Sequence, residues 1–168
     1  MQPFLGFLWC FTRVFIQAAS GRQRFNVLAA LHLTSLQVVT VTNDTYINAL
    51  SVCTLLTQLH DTFIDLPITL VLDNARYQHC RMVIDLAATL EIELLFLPPY
   101  SPNLNLIERL WKFIRQECLA TVYFDTFQPF TTAIVAVLAQ TQGQYKTQLQ
   151  SLLVPNFQTF QNVTSLRS

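Results

Sequence analysis

Two short apolar runs, separated by an amphipathic segment, constrain the fold of this chain more than any other feature. Residues Ile68–Leu72 and Ile92–Leu97 are nearly continuous in apolar side chains. Runs of this length are typical of strands buried on both faces of a parallel sheet. Between them, Val83 and Ala87 are spaced as on one face of a helix. The pattern predicts a β–α–β unit whose second strand ends at Pro98, because proline cannot donate to a strand ladder.

The segments around this unit predict a hairpin before it and helices on both sides of it. Residues 24–33 and 36–41 are rich in apolar and β-branched side chains and are joined by a short connection, which favours an antiparallel hairpin. Further helices are predicted at 47–63, 81–90, 106–119, 127–140 and 145–153. A hairpin followed by parallel units predicts an α/β fold with a mixed sheet and helices on its faces.

Composition excludes several classes of protein. The chain has 168 residues, which fits one domain. Apolar residues make up 52% and charged residues 12%, so the chain has enough apolar surface to fold and is not intrinsically disordered. The formal net charge is zero, so the totals indicate no broadly basic surface for nucleic acid.

The N-terminus and the cysteines bear on the compartment. The apolar stretch before Ala19 has no positive residue ahead of it and is interrupted by Arg13, which is unlike a signal peptide or a membrane span. We expect this stretch to be a buried, β-rich segment. The four cysteines show no metal-ligand spacing. We therefore expect free thiols, no membrane association and a location in the reducing cytoplasm.

Two carboxylates stand where chemistry is expected. Asp73 directly follows the first buried run, and ligand sites of open α/β sheets lie beyond the carboxyl ends of strands. A divalent cation can be held there, although an Asp-Asn pair also commonly starts a turn. Glu108 stands three residues after Asn105, which fits a capping box. Alternatively, Glu108 projects toward the strand ends and shares Mg²⁺ with Asp73.

Two basic residues follow Glu108 on the same predicted helix face. Lys112 and Arg115 come four and seven residues after it. They either contact phosphate groups of DNA or serve as ion-pair partners of Glu108.

The combination of these features resembles the DDE superfamily of transposases, in the mariner-like group of bacterial insertion sequences. Asp73-Asn74 follows a strand, and residues 97–108 read LPPYSPNLNLIE, a characteristic block of that group. The resemblance runs from about Phe4 to about Thr132. It implies an RNase H-like fold and a site for two divalent metals, Mg²⁺ or Mn²⁺. Asp73 would be the second carboxylate of that site and Glu108 the third.

The resemblance also assigns supporting roles and partners. Asn74 and Asn105 would orient the two carboxylates, and Lys112 and Arg115 would contact DNA. The partners implied are transposon ends, target DNA and further copies of the same chain. Relatives often carry a histidine five residues after the second carboxylate, where this chain has Gln78. The neighbouring histidine, residue 79, is therefore expected to be a surface side chain without a role.

The first carboxylate of the family has no counterpart among the early residues, because the first acidic residue of the chain is Asp44, in a turn. We therefore expect residues 1–125 to form a partial RNase H-like domain that lacks its first, central strand. Residues 126–168 would be a helical extension of that domain.

Two functions remain open from the sequence. The first is a transposase fragment, inactive alone, that is either a decayed copy or the second of two reading frames joined to an upstream product by a frameshift. The second is a non-catalytic remnant that acts as a DNA-binding or protein-interaction module.

Overall fold

The computed structural model describes residues 24–98, 104–119, 124 and 126–154. All predicted strands and helices within these ranges are confirmed, with ends that lie within two residues of the expected ones. The strands are β1 (Asn26–Leu31), β2 (Val38–Asn43), β3 (Ile68–Leu72) and β4 (Ile92–Phe96). The helices are α1 (Ala49–Thr62), α2 (Arg81–Thr89), α3 (Ile107–Leu119), α4 (Phe127–Ala139) and α5 (Lys146–Leu152). The stretch before Ala19, which is expected to be a buried, β-rich segment, lies outside the described residues.

The described strands form two small sheets, each with two strands. β1 and β2 pair antiparallel, from Asn26 opposite Asn43 to Leu31 opposite Val38. β3 and β4 pair parallel, from Ile68 opposite Ile92 to Leu72 opposite Phe96. The mixed α/β architecture is therefore confirmed, and within the described ranges it is divided between an antiparallel hairpin and a parallel pair.

Helix α1 starts at a reciprocal cap, which fixes its entry after β2. The side chain of Asn48 accepts a hydrogen bond from the backbone N–H of Ser51 at 3.1 Å, and the Ser51 hydroxyl accepts one from the backbone N–H of Asn48 at 3.4 Å. Each bond satisfies an amide that the helix itself leaves unpaired. The buried face of α1 has the three- and four-residue spacing of one helix side, with Val52, Leu55, Leu56 and Leu59 turned inward.

One hydrophobic core, which we call the α1–α2 core, joins both sheets to α1 and α2. Each strand contributes alternate residues to it, as the two-residue period of a strand requires. These are Leu28, Ala30, Val39, Val41, Ile68, Leu70, Ile92 and Leu94. Buried Leu56 and Val83 lie opposite them on the helices. The two sheets therefore share one covered side.

A second hydrophobic core, which we call the α3–α5 core, covers the other face of the hairpin. Phe25, Val27, Leu31 and Val38 pack against it from the hairpin side. The three C-terminal helices supply most of its buried residues, including Leu110, Phe113, Ile134, Val137 and Leu149. The hairpin is thus covered on both faces. Within the described residues no helix combines the length and apolar content that a membrane span requires.

The prediction that β3 and β4 are buried on both faces is wrong. Val71 is 43% exposed and Leu95 is 50% exposed, and both point away from the α1–α2 core. The outward positions also carry polar side chains, since the Thr69 hydroxyl donates to the carboxylate of Glu93 at 2.6 Å. The α3–α5 core covers the hairpin rather than this pair, and the apolar run alone did not reveal that difference.

Candidate active site

Asp73 lies where two parallel strands end together. The pairing of β3 and β4 continues one step beyond the strands, since the Leu97 N–H donates to the Leu72 carbonyl at 2.9 Å. Asp73 is exposed at this edge, and the chain leaving β4 at Leu97 begins the connection to α3. The carboxyl ends of parallel strands are the usual place for ligand sites in α/β folds.

A buried amide holds one oxygen of Asp73. The Gln78 side chain is 4% exposed, and its Nε2 donates to Asp73 Oδ1 at 2.7 Å. Its Oε1 accepts the backbone N–H of Ala75 at 2.9 Å. No role for Gln78 follows from the sequence, because the 3-10 helix at Arg76–His79 that turns this side chain inward has no clear sequence signal. The only signal is the family resemblance, since relatives often have a histidine at this position.

Asn74 contacts a histidine rather than Asp73. Its backbone is left-handed, with φ of 72°, a conformation that asparagine tolerates better than most residues. Its Oδ1 is hydrogen-bonded to Nε2 of His79, whose ring stacks on Phe96 with centroids 4.0 Å apart. His79 is exposed, as expected, but it is not without contacts. It links the loop after β3 to the end of β4.

Tyr77 reports the charge of Asp73. Its phenol is half-buried, and this burial raises its pKa above the ordinary value. The negative charge of Asp73 raises the Tyr77 pKa further. The Tyr77 phenol therefore lies close enough to Asp73 to be affected by its charge.

Asn105 caps helix α3, which was one of the two roles open to it. Its Oδ1 accepts the N–H of Ile107 at 3.3 Å, and its carbonyl accepts the N–H of Glu108 at 3.1 Å. Glu108 lies in the first turn of α3, where a negative charge interacts favourably with the helix dipole. Its carboxylate is exposed and makes no hydrogen bond or ion pair with a described residue. The reciprocal half of the capping box is therefore not formed there.

The two basic residues of α3 that were expected to contact DNA, Lys112 and Arg115, are exposed and do not pair with Glu108. Lys112 and Arg115 lie on the solvent side of the helix, opposite buried Leu110 and Ile114. Neither forms an ion pair with Glu108 in the described structure, so this alternative is not realised.

Asp44, the first acidic residue of the chain, is exposed and lies between β2 and α1. Among the described residues, no group of three or more histidine, cysteine or acidic side chains is arranged to hold a metal ion.

Solved structures resemble this fold at low sequence identity. The catalytic core domain of BIV integrase matches with a TM-score of 0.53 and 17% identity, over 77% of this chain and 93% of that one. The Mos1 Strand Transfer Complex matches with a TM-score of 0.58 and 16% identity, over 95% of this chain and 51% of that one. A simian T-cell lymphotropic virus intasome, solved with PP2A regulatory subunit B56 gamma, matches with a TM-score of 0.51 and 13% identity, over 86% of this chain and 59% of that one. This chain therefore spans little more than half of the latter two.

The family of the chain is shown by its sequence. No curated protein sequence is similar enough to count as a relative. The family model described as DDE superfamily endonuclease matches residues 12–131, well over half of the chain. This range contains both sheets, α1 to α3, Asp73 and Glu108. The architecture is the mixed α/β arrangement of integrase and transposase catalytic cores. The chain belongs to the DDE superfamily endonuclease family.

Proposed function

We propose that this domain serves metal-dependent DNA cleavage and strand transfer in transposition, as a member of the mariner-like group of bacterial insertion sequences. Asp73 and Glu108 are its metal-binding carboxylates. The observation that carries the proposal is the position of Asp73 at the shared carboxyl end of β3 and β4, with one carboxylate oxygen held by Gln78. Glu108, whose carboxylate makes no hydrogen bond or ion pair with a described residue, lies in the first turn of the helix that follows β4.

The carboxylates present fit one divalent ion better than two. Mg²⁺ and Mn²⁺ prefer oxygen ligands, and Mg²⁺ demands near-octahedral geometry. When a metal pair is bound, it activates water or a 3′-hydroxyl and stabilises the leaving oxygen. Asp73 and Glu108 supply two carboxylates, and no cluster of three or more histidine, cysteine or acidic side chains that could hold a metal ion occurs among the described residues. Supplied alone, the 168-residue chain would therefore have no more than trace nuclease activity, with Asp44 as the first candidate for a third ligand.

The remaining residues and partners fit the same proposal. Asn105 starts the helix that carries Glu108, and Asn74 shapes the turn after Asp73. Lys112 and Arg115 would contact DNA phosphates from the exposed side of α3. The complete transposase would act as a homo-oligomer on transposon ends and target DNA. Residues 126–168 would extend the same domain, and the sharing of the α3–α5 core by α4 and α5 supports this assignment.

The compartment proposed is the cytoplasm. Cys53, Cys80 and Cys118 are free thiols, which agrees with reducing surroundings.

A cleavage assay tests the proposal. The chain is joined to the product of the reading frame upstream of its gene and given DNA with the element's terminal repeats and Mg²⁺ or Mn²⁺. Asp73→Ala and Glu108→Ala should each abolish cleavage and leave DNA binding nearly unchanged, because metal carboxylates act on the chemistry rather than on phosphate docking. Glu117→Gln is the matched control, since Glu117 is an exposed carboxylate in the last turn of α3. Equal cleavage by the parent and by either alanine variant would contradict the assignment.

A non-catalytic DNA-binding or protein-interaction module is the second candidate. This second function is favoured by the lack, among the described residues, of three or more histidine, cysteine or acidic side chains arranged to hold a metal ion. If the joined protein binds repeat-ended DNA but does not cleave it with either metal, this function replaces the first.

A further inference from the structure

We propose that Gln78 is a positioning residue that fixes the carboxylate of Asp73 for metal binding. This inference rests on the proposed function, because it assigns a role to Gln78 only if Asp73 binds a metal. The contact that carries it is the hydrogen bond from Gln78 Nε2 to Asp73 Oδ1 at 2.7 Å.

The orientation of the Gln78 amide is determined by its other partner. The backbone N–H of Ala75 can only donate, so the group that faces it at 2.9 Å must be the amide oxygen. Nε2 then faces Asp73 and donates to it. Burial makes this arrangement costly to break, since an unpaired buried polar group loses its hydration without compensation.

The Gln78 side chain is held in place by the short 3-10 turn to which it belongs. The Gln78 N–H donates to the Ala75 carbonyl at 2.9 Å, which closes the 3-10 turn. Ala75 therefore contacts Gln78 through both its N–H and its carbonyl. The turn, the amide and Asp73 form one hydrogen-bonded unit directly after β3.

The hydrogen bond from Gln78 fixes the carboxylate of Asp73 through Oδ1, and Gln78 does not contact the second oxygen, Oδ2. An exposed aspartate ordinarily samples several rotamers. Here Oδ1 is committed to the amide, whereas Oδ2 makes no hydrogen bond with a described residue. A metal ion that binds Oδ2 then meets an oxygen whose direction is already set. Groups that hydrogen-bond to metal ligands in this way commonly change metal affinity by about 10- to 100-fold.

The test is a double-substitution cycle on Mn²⁺ affinity, measured by electron paramagnetic resonance on the full chain. Gln78→Met keeps the side-chain length and removes both hydrogen bonds. We expect it to weaken Mn²⁺ binding by about tenfold in the parent chain. In an Asp73→Ala background it should have no effect, because no carboxylate remains to be positioned. Gln58→Met is the matched control, since Gln58 is a partly buried glutamine on α1 without a side-chain hydrogen bond to a described residue.

A second measurement covers the case in which Gln78→Met does not fold. In the parent chain, the Nε2 protons of Gln78 should exchange slowly with solvent and be broadened by added Mn²⁺ in ¹⁵N-resolved spectra. Both signatures should disappear in Asp73→Ala.

The outcomes separate the two claims. If Asp73→Ala weakens Mn²⁺ binding but Gln78→Met does not, or if Gln78→Met acts equally in both backgrounds, the positioning role is overturned and the proposed function stands. Rapid exchange of the Gln78 amide protons in the parent would also overturn the positioning role. If Asp73→Ala leaves Mn²⁺ affinity unchanged, the proposed metal site is wrong and the inference falls with it.

Discussion

The two sheets of this domain differ in how much of their surface is covered. The hairpin lies between the α1–α2 core and the α3–α5 core, so both of its faces are packed. The parallel pair is packed on one face, and its other face leaves Val71 and Leu95 about half exposed. The less covered sheet is the one that carries Asp73. Under the proposed function, the sheet at which DNA would bind is therefore the one with a half-exposed face.

The largest expected difference between the sheets is in the cost of removing apolar contacts. Leu110 is fully buried over the hairpin, so Leu110→Ala should lower the free energy of unfolding by about 2–5 kcal/mol. Leu95→Ala, the same substitution on the open face, should cost no more than about 0.5 kcal/mol. Urea unfolding of both variants measures the difference. Similar losses would mean that the open face is covered in solution.

Cysteine reactivity should differ between the two hydrophobic cores. Cys118 is 4% exposed in the α3–α5 core, and burial is the main cause that raises the pKa of its thiol. Burial also raises the pKa of Cys53, helped by its neighbour Cys80, but Cys53 is only partly buried. Because the thiolate is the reactive form, Cys118 should be alkylated by iodoacetamide much more slowly than Cys53. Peptide mapping over time would measure the two alkylation rates, and equal rates would show that the α3–α5 core opens readily.

A smaller effect concerns Tyr77 and pH. Its pKa is raised by burial and by the charge of Asp73, so the folded state holds the phenol proton more tightly than the unfolded state. This contribution to stability is complete below the unfolded pKa, about 10, and is lost as the pH rises through the folded pKa. Asp73→Asn should lower the Tyr77 pKa in part only, since burial is the larger cause. Nuclear magnetic resonance of ¹³Cζ-labelled tyrosine, assigned with Tyr77→Phe, follows the titration. An unchanged Tyr77 pKa would place Asp73 farther away than the structure does.

The fold was largely predictable from the sequence because its elements have strong periodic patterns. The strand at 68–72 and the helix at 107–119 follow directly from their apolar spacing. Exposure was not predictable in the same way. The alternation of Thr69 and Val71 with inward Leu70 determines which residues share a face, but coverage of that face depends on where α3 to α5 pack.

The positions of the candidate carboxylates in the fold were predictable from the sequence, but their contacts were not. Asp73 and Glu108 stand out because of their places after a strand and at a helix start. Gln78 does not, because a glutamine in a short polar segment gives no signal until the 3-10 turn buries it. The same holds for His79, whose stacking on Phe96 depends on the parallel pairing of β3 and β4.

Backbone hydrogen exchange with and without saturating Mg²⁺, read by mass spectrometry, tests whether the carboxyl end of the parallel pair, and not the hairpin, carries the metal site. Mg²⁺ should slow exchange in residues 73–79 and in the first turn of α3, leave residues 26–43 unchanged, and have no effect in Asp73→Ala. Protection of the hairpin instead, or the same protection in Asp73→Ala, would show that the metal binds elsewhere.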